Sequence, residues 1–178
     1  MMKVILISGH AQNGKDTAAG FIKKYLEDHG ERVQIMHYAD LLKFICKEYF
    51  GWNGLKDERG RKMLQHVGTD VIRRRYPDFW VEWLTSLIEA LSYEWDYVII
   101  PDTRFPNEVD LMKDMYDECW HIRVVRPWFE SPLTEEQRNH PSETALDDYE
   151  PDFMLYNDGT LDDLKGESIE LTRRIMQE

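Results

Sequence analysis

Apolar and polar positions fall in blocks along this chain, and the period of the blocks changes as they follow one another. Val4-Ile5-Leu6-Ile7 is a continuous apolar run closed by Ser8 and Gly9, the pattern of a strand buried on both faces of a parallel sheet. From Lys15 the period lengthens to that of a helix. Ala18, Ile22, Tyr25 and Leu26 share one face, and Gly30 supplies the stop. Val33–His37 reads as a second strand, and a helical pattern then runs from near Leu41 to the turn-rich Gly51-Trp52-Asn53-Gly54. Residues 60–75 read as a helix interrupted or bent at Gly68. Tyr76-Pro77-Asp78 ends that piece, and Phe79–Leu91 follows as an aromatic-rich helix. Tyr97–Ile100 is a third strand, ended by Pro101, which cannot donate to a ladder. Pro106–Tyr116 reads as a short helix, Trp120–Val125 as a fourth strand, Phe153–Tyr156 as a fifth and Leu161–Met176 as a closing helix. Between Trp128 and Pro151 no period holds, and so long an irregular stretch in a compact domain is usually functional or mobile. Strands alternating with helices predict an α/β fold in three layers, α/β/α, around a five-stranded parallel sheet. Ligands then bind at the carboxyl ends of the strands.

The first junction carries the clearest chemistry. Gly9-x-x-x-x-Gly14-Lys15 has phosphate-loop spacing between a strand and a helix. Such a spacing arises by chance in roughly one chain in twenty of this length, and the flanking elements make it far more specific. Glycines at 9 and 14 let main-chain amides curl around an anion, with Gln12 and Asn13 inside the curl. The helix start turns its positive dipole end to the same point, and Lys15 reaches the outer phosphates. Asp16 stands where the pattern has Ser or Thr for magnesium. Thr17 follows and offers the hydroxyl, while Asp16 is itself a hard oxygen ligand. Asp102, at the end of the third strand, is the expected partner of the loop for magnesium, directly or through water. Within Asp102-Thr103-Arg104-Phe105-Pro106-Asn107-Glu108, Arg104 reads as a phosphate or nucleotide contact and Glu108 as its orienting partner or a helix-start acid. This is a nucleotide site.

The 178 residues suit one domain. A formal charge of −12 argues against a general nucleic-acid binder, so an anionic ligand needs local clusters of Arg and Lys. Cys46 and Cys119 lie far apart and read as reduced thiols of a cytoplasmic protein. No apolar stretch is long enough to span a bilayer, so no membrane partner is expected. The six histidines show no metal-ligand spacing, and Phe79-Trp80-Trp83 reads as core.

The chain resembles the deoxynucleoside monophosphate kinases of bacteriophages, within the adenylate-kinase-like P-loop kinases. The matching pieces are GHAQNGKDT (9–17), YADLLK (38–43), LQHVGTD (64–70), PDFWV (77–81), DTRFPNE (102–108), RVVRP (123–127), HPSE (140–143) and YNDGTL (156–161). Leu41 stands where the family usually has proline. The resemblance implies a P-loop NTPase fold and transfer of the γ-phosphoryl group of ATP to a deoxynucleoside monophosphate, with Mg²⁺. It implies an acceptor-binding insertion over about 38–92 and a lid over about 127–151, with Asp40, Lys43, Gln65, Thr69 and Asp70 lining the acceptor cleft together with Arg104 and Glu108. Of Arg73, Arg74 and Arg75, the compact basic run, at least one is expected on the acceptor phosphate, with Arg74 taken as the candidate. Arg126 and Arg138 bracket the irregular segment, and their expected role is to close over the transferring group and exclude water. Asn157 is expected at the adenine. If phage-encoded, the protein would work in the host cytoplasm. Kinases of another phosphorylated acceptor (phosphomevalonate or dephospho-coenzyme A) and a nucleotide-binding regulator are the alternatives. The bases accepted and the choice between monomer and homodimer are left open.

Overall fold

In the computed structural model, which describes residues 2–177, a five-stranded parallel sheet is wrapped by helices on both faces. The chain runs Lys3–Ser8 (β1), Lys15–Asp28 (α1), Val33–Ile35 (β2), Ala39–Phe50 (α2) and Glu58–Gln65 (α3). Helix α3 passes without a break into a wider, π-helical stretch over His66–Arg73. Phe79–Ala90 (α4), Tyr97–Ile100 (β3), Pro106–Met115 (α5) and Cys119–Val125 (β4) follow. Two four-residue helices, Glu135–Arg138 (α6) and Pro141–Thr144 (α7), precede Phe153–Tyr156 (β5) and Leu161–Ile175 (α8).

The strand order is β2-β3-β1-β4-β5. Strand β1 is central, with Leu6 opposite Ile100 on one side and His121 on the other. The chain completes one half of the sheet before crossing to the other, so the crevice lies where β1 ends. Successive side chains of a strand point to opposite faces. Val4 and Leu6 therefore join Leu84, Ile88, Val109 and Met112 in one core layer. Ile5 and Ile7 meet Ala18, Ile22 and Leu26 of α1 and Leu164 and Leu171 of α8 in the other. This accounts for the unbroken apolar run in β1: both of its faces are covered.

Three boundaries differ from the sequence reading. Helix α2 starts at Ala39, earlier than the apolar pattern suggests, because Asp102 accepts the backbone N–H groups of Tyr38 and Ala39, both at 3.0 Å. Gly68 does not break its helix. It lets α2 approach, since a Cβ there would lie 2.6 Å from Leu42 Cδ2. The segment expected to be irregular contains α6, capped by Thr134, and α7, capped by His140.

Candidate active site

The loop after β1 has the shape the spacing predicts, and its glycines are required by close approach. Gly9 has φ 133°, and a Cβ on it would fall 2.3 Å from the carbonyl oxygen of Val124 in β4. Gly14, φ 99°, leaves room for Asn157, whose Nδ2 donates to Asn13 O at 2.9 Å. Gln12 also has positive φ, and Asn13 Nδ2 donates to Val124 O at 3.2 Å. The curl is thus fixed from behind by β4 and by the turn after β5. Lys15 is buried, with its ammonium on the carbonyls of Gly9 (2.6 Å) and His10 (2.9 Å). Burial, then the nearby Arg104 charge, lowers its pKa to about 8.

In front of the loop lies a cavity of about 460 Å³. Gln12, Lys15 and Asp16 form one wall, and Asp102, Arg104 and Glu108 line the floor beyond β3. Opposite stand Leu42 and Lys43 of α2, then Leu64, Gln65, Thr69 and Arg73 along α3 and its continuation. Glu108, 2% exposed, organises the floor. It accepts the backbone N–H of Arg104 (2.6 Å) and of Phe105 (3.1 Å), together with the guanidinium of Arg73. Burial pushes its carboxyl up while Arg73 and the amides pull it back. Arg73 also lies 3.9 Å over the Phe105 ring, so its place in the cavity is fixed on two sides.

Glu143, which the sequence reading gave no role, joins the floor to the phosphate loop. It pairs with Arg104 and accepts the backbone N–H of Ala11 at 2.9 Å. Its carboxyl pKa is lowered: burial works against this, and Arg104 prevails. His10 and Asp147 meet at 2.8 Å, and Arg123 holds the carbonyls of Leu146, Asp147 and Tyr149. Residues 143–149 of the expected lid are therefore fastened to the phosphate loop and β4. The preceding part reaches the acceptor side, where Gln137 Nε2 donates to Glu58 O at 3.4 Å and Leu133 lines the cavity.

Lys43, Gln65, Thr69, Arg104 and Glu108 come together with Gln12, Lys15, Asp16 and Asp102 around one cavity. Gly9 and Asn13 line a second hollow of about 220 Å³ behind the loop. Asp16 accepts from His37 at 3.0 Å, which lowers the Asp16 pKa and raises that of His37, while Thr17 is exposed. Asp40 is exposed and pairs with Lys43 at 2.8 Å. Asp70 is exposed, 3.5 Å from His140. Arg74 is exposed and stands off the cavity, and of the three consecutive arginines it is Arg73 that lines it. Arg126, stacked on Phe129 at 4.4 Å, and Arg138 are exposed and outside it. Lys56 and Arg61 line the cavity without having been foreseen. They follow a turn, and nothing in their local pattern marks them.

Fold and cavity define a P-loop protein of the kinase type. The shikimate kinase of Aquifex aeolicus superposes with a TM-score of 0.52 over 98% of each chain at 12% identity, a likeness of fold. The chain belongs to the deoxynucleotide monophosphate kinase family, whose model matches residues 25–167. It is 31% identical over 156 residues to the deoxynucleotide monophosphate kinase of Enterobacteria phage T4, covering 85% of this chain but 58% of the phage protein. It is 32% identical to an Acanthamoeba polyphaga mimivirus protein provisionally given the same name, over 94% of this chain and 95% of that protein.

Proposed function

We propose that this chain transfers the γ-phosphoryl group of ATP to a deoxynucleoside 5′-monophosphate, giving ADP and the diphosphate. The observation that carries the reading is the two-sided cavity. A phosphate loop forms one wall, and a separate helical wall presents Gln65, Thr69 and Arg73 across from it. A switch protein needs the first wall but not the second. Family membership supports the same acceptor class.

Phosphoryl transfer asks the enzyme mainly to align two phosphates and to neutralise charge spreading over the transferred group. Lys15 and the loop amides would hold the donor. Arg104 would bridge donor and acceptor, and Arg73, set by Glu108, would orient the acceptor phosphate. Leu42, Leu64 and Trp80 supply an apolar face for the base, with Gln65 and Thr69 as its polar contacts. Arg126 and Arg138 would serve transfer by closing inwards, and Asn157, behind the loop, would meet the adenine edge. No general base is needed, because the acceptor phosphate is already anionic.

Magnesium keeps most of its coordination for water and phosphate oxygens. The donors here suit such a loosely held ion. Asp16 has an exposed carboxylate with one oxygen on His37, and Thr17 has an exposed hydroxyl. Asp102, whose oxygens already accept two amides, suits an indirect role. The ion would neutralise charge on the phosphates. The phage and mimivirus relatives support work in a host cytoplasm.

The test is ADP formation from ATP and magnesium with a panel of deoxynucleoside monophosphates, ribonucleotides, phosphomevalonate and dephospho-coenzyme A. Acceleration by one or more deoxynucleotides is expected, and it should disappear in Lys15→Ala. Turnover with a non-nucleotide acceptor alone, or with none, overturns the reading.

A further inference from the structure

Six cationic side chains line the cavity of a protein whose formal charge is −12. Four have partners within the fold: Lys15 on two carbonyls, Lys43 on Asp40, Arg73 on Glu108 and Arg104 on Glu143. The other two are Lys56 and Arg61. Among the described residues the Lys56 ammonium makes no hydrogen bond or ion pair, and Arg61 donates only its Nε, to Lys56 O at 2.9 Å, which leaves its two terminal nitrogens open there.

Lys56 sits in a tightly built turn, and Arg61 stands in α3, which that turn leads into. Trp52 Nε1 donates to Leu55 O at 2.9 Å, Asn53 Oδ1 accepts Leu55 N–H at 2.9 Å, and Asp57 caps α3 through Gly60 N–H at 2.7 Å. Gly60 permits this packing, because a Cβ there would fall 2.0 Å from Leu55 O. The turn is thus held from its own backbone, and the two cations are left to face inwards. Burial first, then the like charge of Lys43 with those of Arg104 and Arg61, lowers the Lys56 pKa against the pull of Asp16. A cluster of cations in mutual repulsion gains most from a dianion placed among them.

Building on the kinase reading, we propose that Lys56 and Arg61 are catalytic residues that bind the acceptor's 5′-phosphate in this cavity. They fill the place for which the exposed Arg74 was a candidate. A guanidinium offers a two-pronged donor to phosphate oxygens and an ammonium a mobile point charge, so the pair serves complementary functions. Their charge also compensates for the engagement of Arg73 with Glu108.

The experiment compares wild type with Lys56→Gln, Arg61→Gln and the double variant. Calorimetry measures the affinity for a deoxynucleoside monophosphate and for the corresponding phosphate-free deoxynucleoside. Steady-state kinetics then varies ATP and acceptor separately. Each single change should weaken monophosphate binding and lower kcat/KM for the acceptor about tenfold or more. Nucleoside affinity and the KM for ATP should stay within about twofold. Arg61→Lys should recover part of the loss, and unfolding midpoints should not move. Equal losses for nucleotide and nucleoside, or an unchanged monophosphate affinity, overturn the proposal while leaving the kinase reading in place. A wild type that binds no monophosphate overturns both.

Discussion

Glu143→Gln tests how the empty site is held together. Glu143 places a carboxylate on a phosphate-loop amide at 2.9 Å and on the Arg104 guanidinium. It therefore sits where nucleotide phosphates compete for the same donors. Hydrogen bonds to a charged group are worth ~1.5–3 kcal/mol net, about twice a neutral one. Incoming phosphates must displace at least the Ala11 contact and tolerate the negative charge beside it. Glutamine keeps the shape and removes the charge, which saves ~1–1.5 kcal/mol on binding, or about five- to tenfold in Kd. The same change removes an ion pair from the unliganded protein. Its melting temperature should drop by about 2–6 °C, at about 2–4 °C per kcal/mol for a chain of this size. The signature is thus a looser empty protein that binds nucleotide more tightly. Titration with a non-hydrolysable ATP analogue, alongside a thermal scan without ligand, reads both halves. Weaker binding with an unchanged melting temperature would refute the argument and make Glu143 a direct support of the bound nucleotide.

Glu108→Ala takes the carboxylate from the Arg73 guanidinium and leaves two backbone amides without their acceptor, and should cost ~3–5 kcal/mol in urea unfolding; a loss below ~1 kcal/mol would remove Glu108 as the organiser. Gly9→Ala forces a methyl group to 2.3 Å from Val124 O at a φ that disfavours side chains, so nucleotide binding should disappear even where a folded protein is recovered. A variant that binds ATP normally would contradict the loop geometry. His121 is fully buried, with Nε2 2.7 Å from Ser8 Oγ, and burial first, then Arg123, lowers its pKa to about 4. Between an unfolded value near 6.5 and about 4, the unfolded chain binds the extra proton. Stability should therefore fall with falling pH, by up to ~1.4 kcal/mol per unit. His121→Gln should flatten that part of the curve in denaturant titrations from pH 7 to 4, and an unchanged slope would assign it to other groups.

The parts of the fold that were legible in the sequence are those made by neighbours in the chain. The strand Val4–Ile7, the Gly9–Lys15 curl and the helix after it are all local, and each was visible from period and spacing. The residues of the cavity floor, Asp102, Arg104 and Glu108, were read from their own stretch, but the bonds that tie them to distant positions were not. Asp102 caps α2 across 63 and 64 residues, Arg73 reaches Glu108 across 35, and Arg104 reaches Glu143 across 39. An apolar period records which face of a helix is covered, but not which polar group will find a partner elsewhere. The segment expected as a lid shows the same limit. Its composition marked it as irregular, and nothing local indicated that its second half is tied to the phosphate loop through Glu143 and Asp147.

The choice among Arg73, Arg74 and Arg75 turns on helix phase, and there a local signal existed. Gln65, Thr69 and Arg73 are spaced four residues apart, and all three line the cavity. In an α-helix, positions four apart drift by about 40° per step, enough to carry the third well off the face set by the first. Both steps here run through the π-helical stretch, whose i→i+5 bonds turn the chain less per residue, so positions four apart fall short of a full turn instead of overshooting it. Arg74 is one residue further round and faces solvent, as does Asp70, one residue beyond Thr69. Gly68 makes the widened turn compatible with packing, since its missing side chain admits Leu42 and its carbonyl accepts Trp80 Nε1 at 3.1 Å. The glycine read as an interruption or a bend instead stands within a wider helix from which three polar residues reach one cavity.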